Sequence, residues 1–186
     1  MPTLVQREAE LSLRTTGDFV RPRVVWPPNA ADGSPIALLL WDSDSCFEIA
    51  DALCVDGGFV VLALQTAALD LATIALEWAG DHAQLLGADP SRLVLAGGGL
   101  AATAAVYSRD QGWPPLAGQL LFGPEVAGWP PADVSLAGVA PTLVVSAPRY
   151  AARLRAAGVE VREPCLAEPM DFAWLQRDRA RADVRT

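Results

Sequence analysis

The sequence predicts an α/β fold: a single mainly parallel central sheet flanked by helices, in one domain spanning residues 1–186. Short, near-continuous apolar runs recur along the chain, and such runs belong to strands buried on both faces. Helical spacing fills the segments between them, and strand–helix alternation at this interval makes parallel crossovers. The 186 residues are 52% hydrophobic and 19% charged, enough apolar surface for a full core and too little charge for disorder.

Leu11-Ser12-Leu13-Arg14 and Val24-Val25-Trp26 are expected as two N-terminal strands, the second stopped by Pro27-Pro28. Ile36 to Trp41 is apolar almost throughout and reads as a buried central strand. From Asp44 to Cys54, apolar residues at Cys46, Phe47, Ile49, Ala50, Leu53 and Cys54 keep helical spacing, and Gly57-Gly58 closes the helix. Phe59 to Leu64 is a second buried strand, and Ala67 to Leu86 a long helix ended by Gly87. Arg92 to Ala96 is a third strand that runs into Gly97-Gly98-Gly99, followed by a small-residue helix from Leu100 to Arg109. Strands over Leu116–Phe122 and Thr142–Ser146, a helix over Tyr150–Ala157 and a last strand over Val159–Arg162 complete the pattern. A terminal helix from Phe172 to about Arg181 then frays into a charged tail from about residue 177, where Arg177, Arg179, Arg181 and Arg185 interleave with Asp178 and Asp183.

Composition excludes several functions. Twenty-two acidic residues against 14 basic ones give a formal charge of −8, unsuited to nucleic acid, which needs clustered cations. All the basic residues are arginine, which removes lysine chemistry such as Schiff bases and P-loop phosphate binding. No apolar run reaches the ~18 residues of a membrane helix, and the N-terminus carries no basic-then-apolar leader. Cys46, Cys54 and Cys165 match no metal pattern, so no metal is expected, and they read as buried thiols in a reducing cytoplasm. No cofactor is implied. Tryptophan precedes a Pro-Pro pair three times, at Trp26, Trp113 and Trp129; stiff loops with a packed indole are expected, with a partner-binding rim as the alternative.

The turn Ala96-Gly97-Gly98-Gly99-Leu100-Ala101-Ala102 is the most informative feature, a buried strand turning sharply into a helix. Two templates share that shape. Gly97, Gly99 and Ala102 satisfy the nucleotide-binding G-x-G-x-x-G/A, with Glu125 placed as a ribose-binding acid. That fingerprint normally opens its fold, whereas three buried central strands lead up to it here. The other template is the nucleophile elbow, G-x-S-x-G, which lifts a serine above the sheet edge.

The residues around the turn favour the second template. Trp78 to Gly97, Gly112 to Pro124, Pro141 to Val145 and Tyr150 to Val159 resemble the α/β-hydrolases, specifically their hormone-sensitive-lipase-like esterase branch. The resemblance extends from about Ile36 to Leu175 and implies an esterase-type scaffold. It also implies that the catalytic parts are lost. The branch's elbow reads Gly-Asp-Ser-Ala-Gly, and the same five positions here read Gly97-Gly98-Gly99-Leu100-Ala101, so Gly99 stands where the nucleophile should. A glycine there can hold a strained turn but has no oxygen to acylate. The branch's His-Gly-Gly-Gly oxyanion stretch corresponds to Trp41-Asp42-Ser43-Asp44-Ser45. Its catalytic acid follows the Pro-Thr-Leu-Val-Val strand, where Ser146-Ala147-Pro148-Arg149 leads directly into a helix. Its His-Gly-Phe corresponds to Met170-Asp171-Phe172. The sole histidine, His82, falls in the helix before the elbow strand and is expected as a surface or capping residue. Against a full esterase of that branch, 186 residues is short, and the expected shortfall lies in the cap and the catalytic loops.

Non-triad chemistry has one candidate place. Asp42 and Asp44 would sit at the C-terminal edge of a central strand, beside the equivalent edge carrying Gly97, Gly98 and Gly99, where α/β sheets bind ligands. The plainer expectation is that one of these acids caps the following helix. Three functions follow: a catalytically degenerate scaffold acting by binding or protein association, expected as a homodimer; a repurposed enzyme or small-ligand binder using Asp42, Asp44 and the glycine turn; and a nucleotide-binding module.

Overall fold

The computed structural model describes residues 7–14, 19–123 and 130–164. In chain order its elements are β1 (Arg7–Glu10), β2 (Leu13–Arg14), β3 (Phe19–Val20), β4 (Arg23–Trp26), β5 (Ser34–Trp41), α1 (Cys46–Gly57), β6 (Val60–Gln65), α2 (Leu69–His82), β7 (Ala88–Gly97), α3 (Gly99–Gln111), β8 (Gly118–Phe122), β9 (Thr142–Val145), α4 (Pro148–Ala156) and β10 (Val161–Arg162). Eight strands form one sheet in the order β1-β4-β6-β5-β7-β8-β9-β10. Only β4 runs against the others, pairing antiparallel with β1 and with β6. From β6 to β10 every pairing is parallel.

The apolar runs are continuous because the central strands are covered on both sides. Ile36, Leu38 and Leu40 of β5 point into the layer shared with α2, α3 and α4. Ala37 and Leu39 point the other way, onto Cys46, Ala50, Leu53 and Cys54 of α1. α3 presents Gly99, Ala101, Ala102, Ala104 and Ala105 to the core, and these small side chains bring its backbone close to the sheet. Left-handed Gly58 and Gly112 end α1 and α3.

Several boundaries differ from the sequence expectation, each for a physical reason. The sheet takes its first strand from Arg7–Glu10, while Leu13–Arg14 pairs antiparallel with Phe19–Val20 in a separate two-stranded sheet. β1 is charged because it is an edge strand, and Glu8 meets Arg23 of β4 at 2.6 Å. The long helix after β6 begins at Leu69, ends at His82 and is followed by a 3₁₀ turn, Ala83–Leu86, before left-handed Gly87. β8 starts only at Gly118, and β10 only at Val161. The expected terminal helix and tail, together with Cys165, lie outside the described residues. Among the described residues no helix is long and apolar enough to cross a membrane.

Of the tryptophan–proline loops, Trp26 packs as expected, buried with its Nε1–H donating to the Leu86 carbonyl at 2.8 Å. Trp113 is 44% exposed. Trp129 lies outside the described residues.

Candidate ligand site at the sheet edge

β5 leads to β6 on one side and pairs with β7 on the other, which makes the gap above β5 and β7 the switch point of the sheet. The glycine turn is built for close approach. Leu40 and Gly97 are register partners, and a Cβ on Gly97 would overlap the Leu40 carbonyl oxygen. Gly97 also holds φ at +146°, where L side chains are strained. This corrects the expectation for Gly99: the strained position of the turn is Gly97. Gly98 has φ −95°, Gly99 is not among the positive-φ residues, and α3 starts there. A Cβ on Gly98 would come no nearer than 3.7 Å, to the Phe122 carbonyl.

A cavity of about 560 Å³ opens at this edge, assembled from the ends of four strands. β5 contributes Leu40, Trp41 and Asp42; the segment after β6 contributes Thr66, Ala67 and Leu69; β7 and α3 contribute Gly98, Gly99 and Leu100; β8 contributes Phe122 and Gly123. Of the candidate residues, Asp42, Gly98 and Gly99 are brought together here. Gly97 supports the site from beneath through Leu40, without lining it.

Asp44 is drawn off: its Oδ1 accepts from Gln65 Nε2 at 3.2 Å. Neither acid caps α1, contrary to expectation. The N-cap position belongs to Ser45, with no side-chain cap bond, because the Ser45 hydroxyl is engaged by the Trp41 indole. Trp41 Nε1–H lies 2.9 Å from Ser43 Oγ and 3.1 Å from Ser45 Oγ, and the two hydroxyls are 2.9 Å apart. The indole then meets Phe122 edge to face, centroids 5.9 Å apart and planes at 83°.

Trp41, Thr66, Leu69 and Phe122 were not singled out by sequence reasoning. Each is a lone residue just at or past a strand end, and only the strand order brings them together. Ser146 also stands at a strand end, outside the lining of the cavity. It holds φ at +58° just past β9, the one non-glycine with positive φ among the described residues, and its neighbour Val145 accepts from Gly123 N–H at 2.9 Å.

Among the described residues, His82 lies away from the cavity, Cys46 is buried and the Thr66 hydroxyl is engaged. His82 stacks on Trp78 at 5.0 Å, with Nδ1 3.1 Å from the Trp78 carbonyl oxygen. It ends α2, whose first residue, Leu69, lines the cavity about 20 Å away along the helix at 1.5 Å per residue. Cys46 is fully buried, and burial pushes its thiol up to about 11, the opposite of nucleophile activation. Thr66 Oγ1 accepts from the Ala68 N–H at 3.0 Å. Met170 and Glu125, the positions expected for the lost histidine and for a ribose-binding acid, lie outside the described residues.

A parallel sheet with its second strand reversed, a glycine turn into a central helix and a cavity over the switch point together define the α/β-hydrolase fold. The comparisons agree. The family model of the alpha/beta hydrolase fold matches residues 65–136. Carboxylesterase NlhH of Mycobacterium tuberculosis is 34% identical over 134 residues, covering 61% of this chain and 41% of that protein. Esterase LipI of the same organism is 28% identical over 182 residues, covering 85% of this chain and 57% of that protein. Among solved structures, a bacterial heroin esterase superposes with a TM-score of 0.75 at 22% identity, over 85% of this chain and 74% of that one. The chain thus has the α/β-hydrolase fold, and its matches span about half the length of those two mycobacterial esterases.

Proposed function

We propose that this chain is a non-hydrolytic esterase-like scaffold that works by holding a small, largely apolar molecule in the cavity at the sheet edge. One observation carries the proposal: the turn that would project a nucleophile is Gly98-Gly99, and none of the described residues lining the cavity is serine, cysteine or histidine. Acyl transfer needs a nucleophile and a base within about 3 Å of each other, and the one histidine of these 186 residues ends α2. An apolar cavity of this size with few polar groups is the usual form of a small-molecule site.

The test pairs a fluorophosphonate probe and a short-chain nitrophenyl ester with ligand-induced thermal shifts. Silence in the first two and stabilisation by apolar small molecules is the expected result. Turnover that co-purifies with the homogeneous protein refutes the proposal. Acid–base catalysis by Asp42 is the alternative, and activity abolished by Asp42→Ala would establish it. Nucleotide binding draws no support from the described lining residues, which include a carboxylate and no basic residue.

Association of two copies is part of the proposal. Trp113, beside Gly80 of α2, and Leu85, 77% exposed just past the end of α2, offer apolar contact on that side of the molecule. Light scattering should give the mass of a dimer, and Leu85→Glu should return it to monomer. A monomeric parent protein removes this part.

A further inference from the structure

The cavity has a chemical polarity that an apolar ligand alone does not use. Asp42 lines it with a carboxylate that no described residue bonds or pairs with, and Asp42 is exposed rather than buried. Two aromatic rings of the described lining, Trp41 and Phe122, meet edge to face, and the Trp41 indole is held by Ser43 and Ser45. Asp44 is held at 3.2 Å by Gln65, whose neighbour Thr66 lines the cavity. No basic residue is among the described residues that line the cavity, and the whole chain carries −8. A carboxylate beside fixed aromatic rings attracts one ligand class, an organic cation.

We infer that the cavity binds a small organic ammonium ion with an apolar tail, its cationic head at Asp42 against Trp41 and Phe122. This rests on the proposed binding function and names its ligand class. The orientation follows from charge. α3 points its N-terminal end at the cavity through Gly99 and Leu100, and a helix N-terminus repels a cation. The head therefore stays at Asp42, and the tail lies over Leu40, Leu69 and Leu100.

The experiment compares three probes of one chain length by calorimetry and thermal shift: hexyltrimethylammonium, 1-hexanol and hexanoate. The ammonium should bind most tightly and lose affinity as salt is raised. Asp42→Asn, a change at an exposed position, should weaken it about fivefold and leave hexanol unchanged. Phe122→Leu should weaken the ammonium about threefold more than hexanol, since only the cation uses the ring's quadrupole. If hexanol or hexanoate binds as tightly as the ammonium, or if Asp42→Asn leaves the ammonium unaffected, the inference is overturned while apolar ligand binding stands. If none of the three binds, the binding function itself fails.

Discussion

Replacing Gly97 by alanine tests whether the glycine turn exists for chain packing or for chemistry. Two costs add at that position. Holding a Cβ at φ +146° costs about 1–3 kcal/mol. The Cβ also overlaps the carbonyl oxygen of Leu40, its register partner, so β5 and β7 must part at the centre of the sheet, a further ~1–3 kcal/mol by analogy with overpacked cores. Gly97→Ala should therefore lose about 2–6 kcal/mol, a large share of the ~5–15 kcal/mol that holds a domain folded. Gly98→Ala is the control one residue on. Its Cβ meets nothing nearer than 3.7 Å, and its loss should stay near 1 kcal/mol. Urea unfolding reads both, as a fall in midpoint at unchanged slope. Equal losses for the two variants, or a Gly97→Ala loss below about 1 kcal/mol, would refute the close-approach argument.

Other expectations follow from the same structure. Gly80→Ala puts a Cβ into Pro114 and beside Trp113; overpacking of ~1–3 kcal/mol, less about 1 kcal/mol of helix propensity, should lower the melting temperature by a few degrees in a thermal scan. At Ser146, φ +58°, the order of stability should be glycine at least equal to serine and valine worst by about 1–2 kcal/mol; valine matching serine in a denaturant titration would contradict the left-handed backbone. Cys46 links stability to pH with a definite sign. Its thiol is raised from 9.0 to about 11 by burial, so the unfolded chain loses this proton first, and stability present below pH 9 declines up to about pH 11. Cys46→Ala should flatten that decline, and an unchanged slope would show that Cys46 is not its source.

The fold was largely legible because buried parallel strands write themselves as apolar runs. Ile36 to Trp41 and Phe59 to Leu64 have no polar face to interrupt them, and the structure covers both their sides. β1 was not legible for the converse reason. Arg7-Glu8-Ala9-Glu10 is an edge strand held by ion pairs such as Glu8–Arg23, and a hydrophobicity criterion passes over it. The glycine turn and Asp42 were visible as local motifs, but their distinct roles were not. A string of three glycines does not say which one is pressed against a neighbouring strand, and the spacing of Asp42 and Asp44 does not say which one Gln65 will hold. The remaining walls of the cavity were hidden by topology. Trp41 and Phe122 are 81 positions apart and meet only because β7 lies between β5 and β8.

The same strand order explains how the proposed non-hydrolytic site can keep its shape whatever side chain stands at the turn. The cavity is made by where four parallel strands end and by which way the crossovers turn at β5, and none of that depends on the side chain at the elbow. The glycine under greatest constraint, Gly97, answers to the Leu40 carbonyl below the cavity and not to any ligand above it. Packing therefore fixes the lower glycine of the turn, while Gly98 has space for a side chain it does not carry. Chemistry at this edge is optional to the fold, whereas concavity is not. What gives this cavity its individuality is the Trp41–Asp42 pair, an indole braced by Ser43 and Ser45 beside a carboxylate. A carboxylate wall repels a developing anion, and the ligand proposed for this cavity carries the opposite charge.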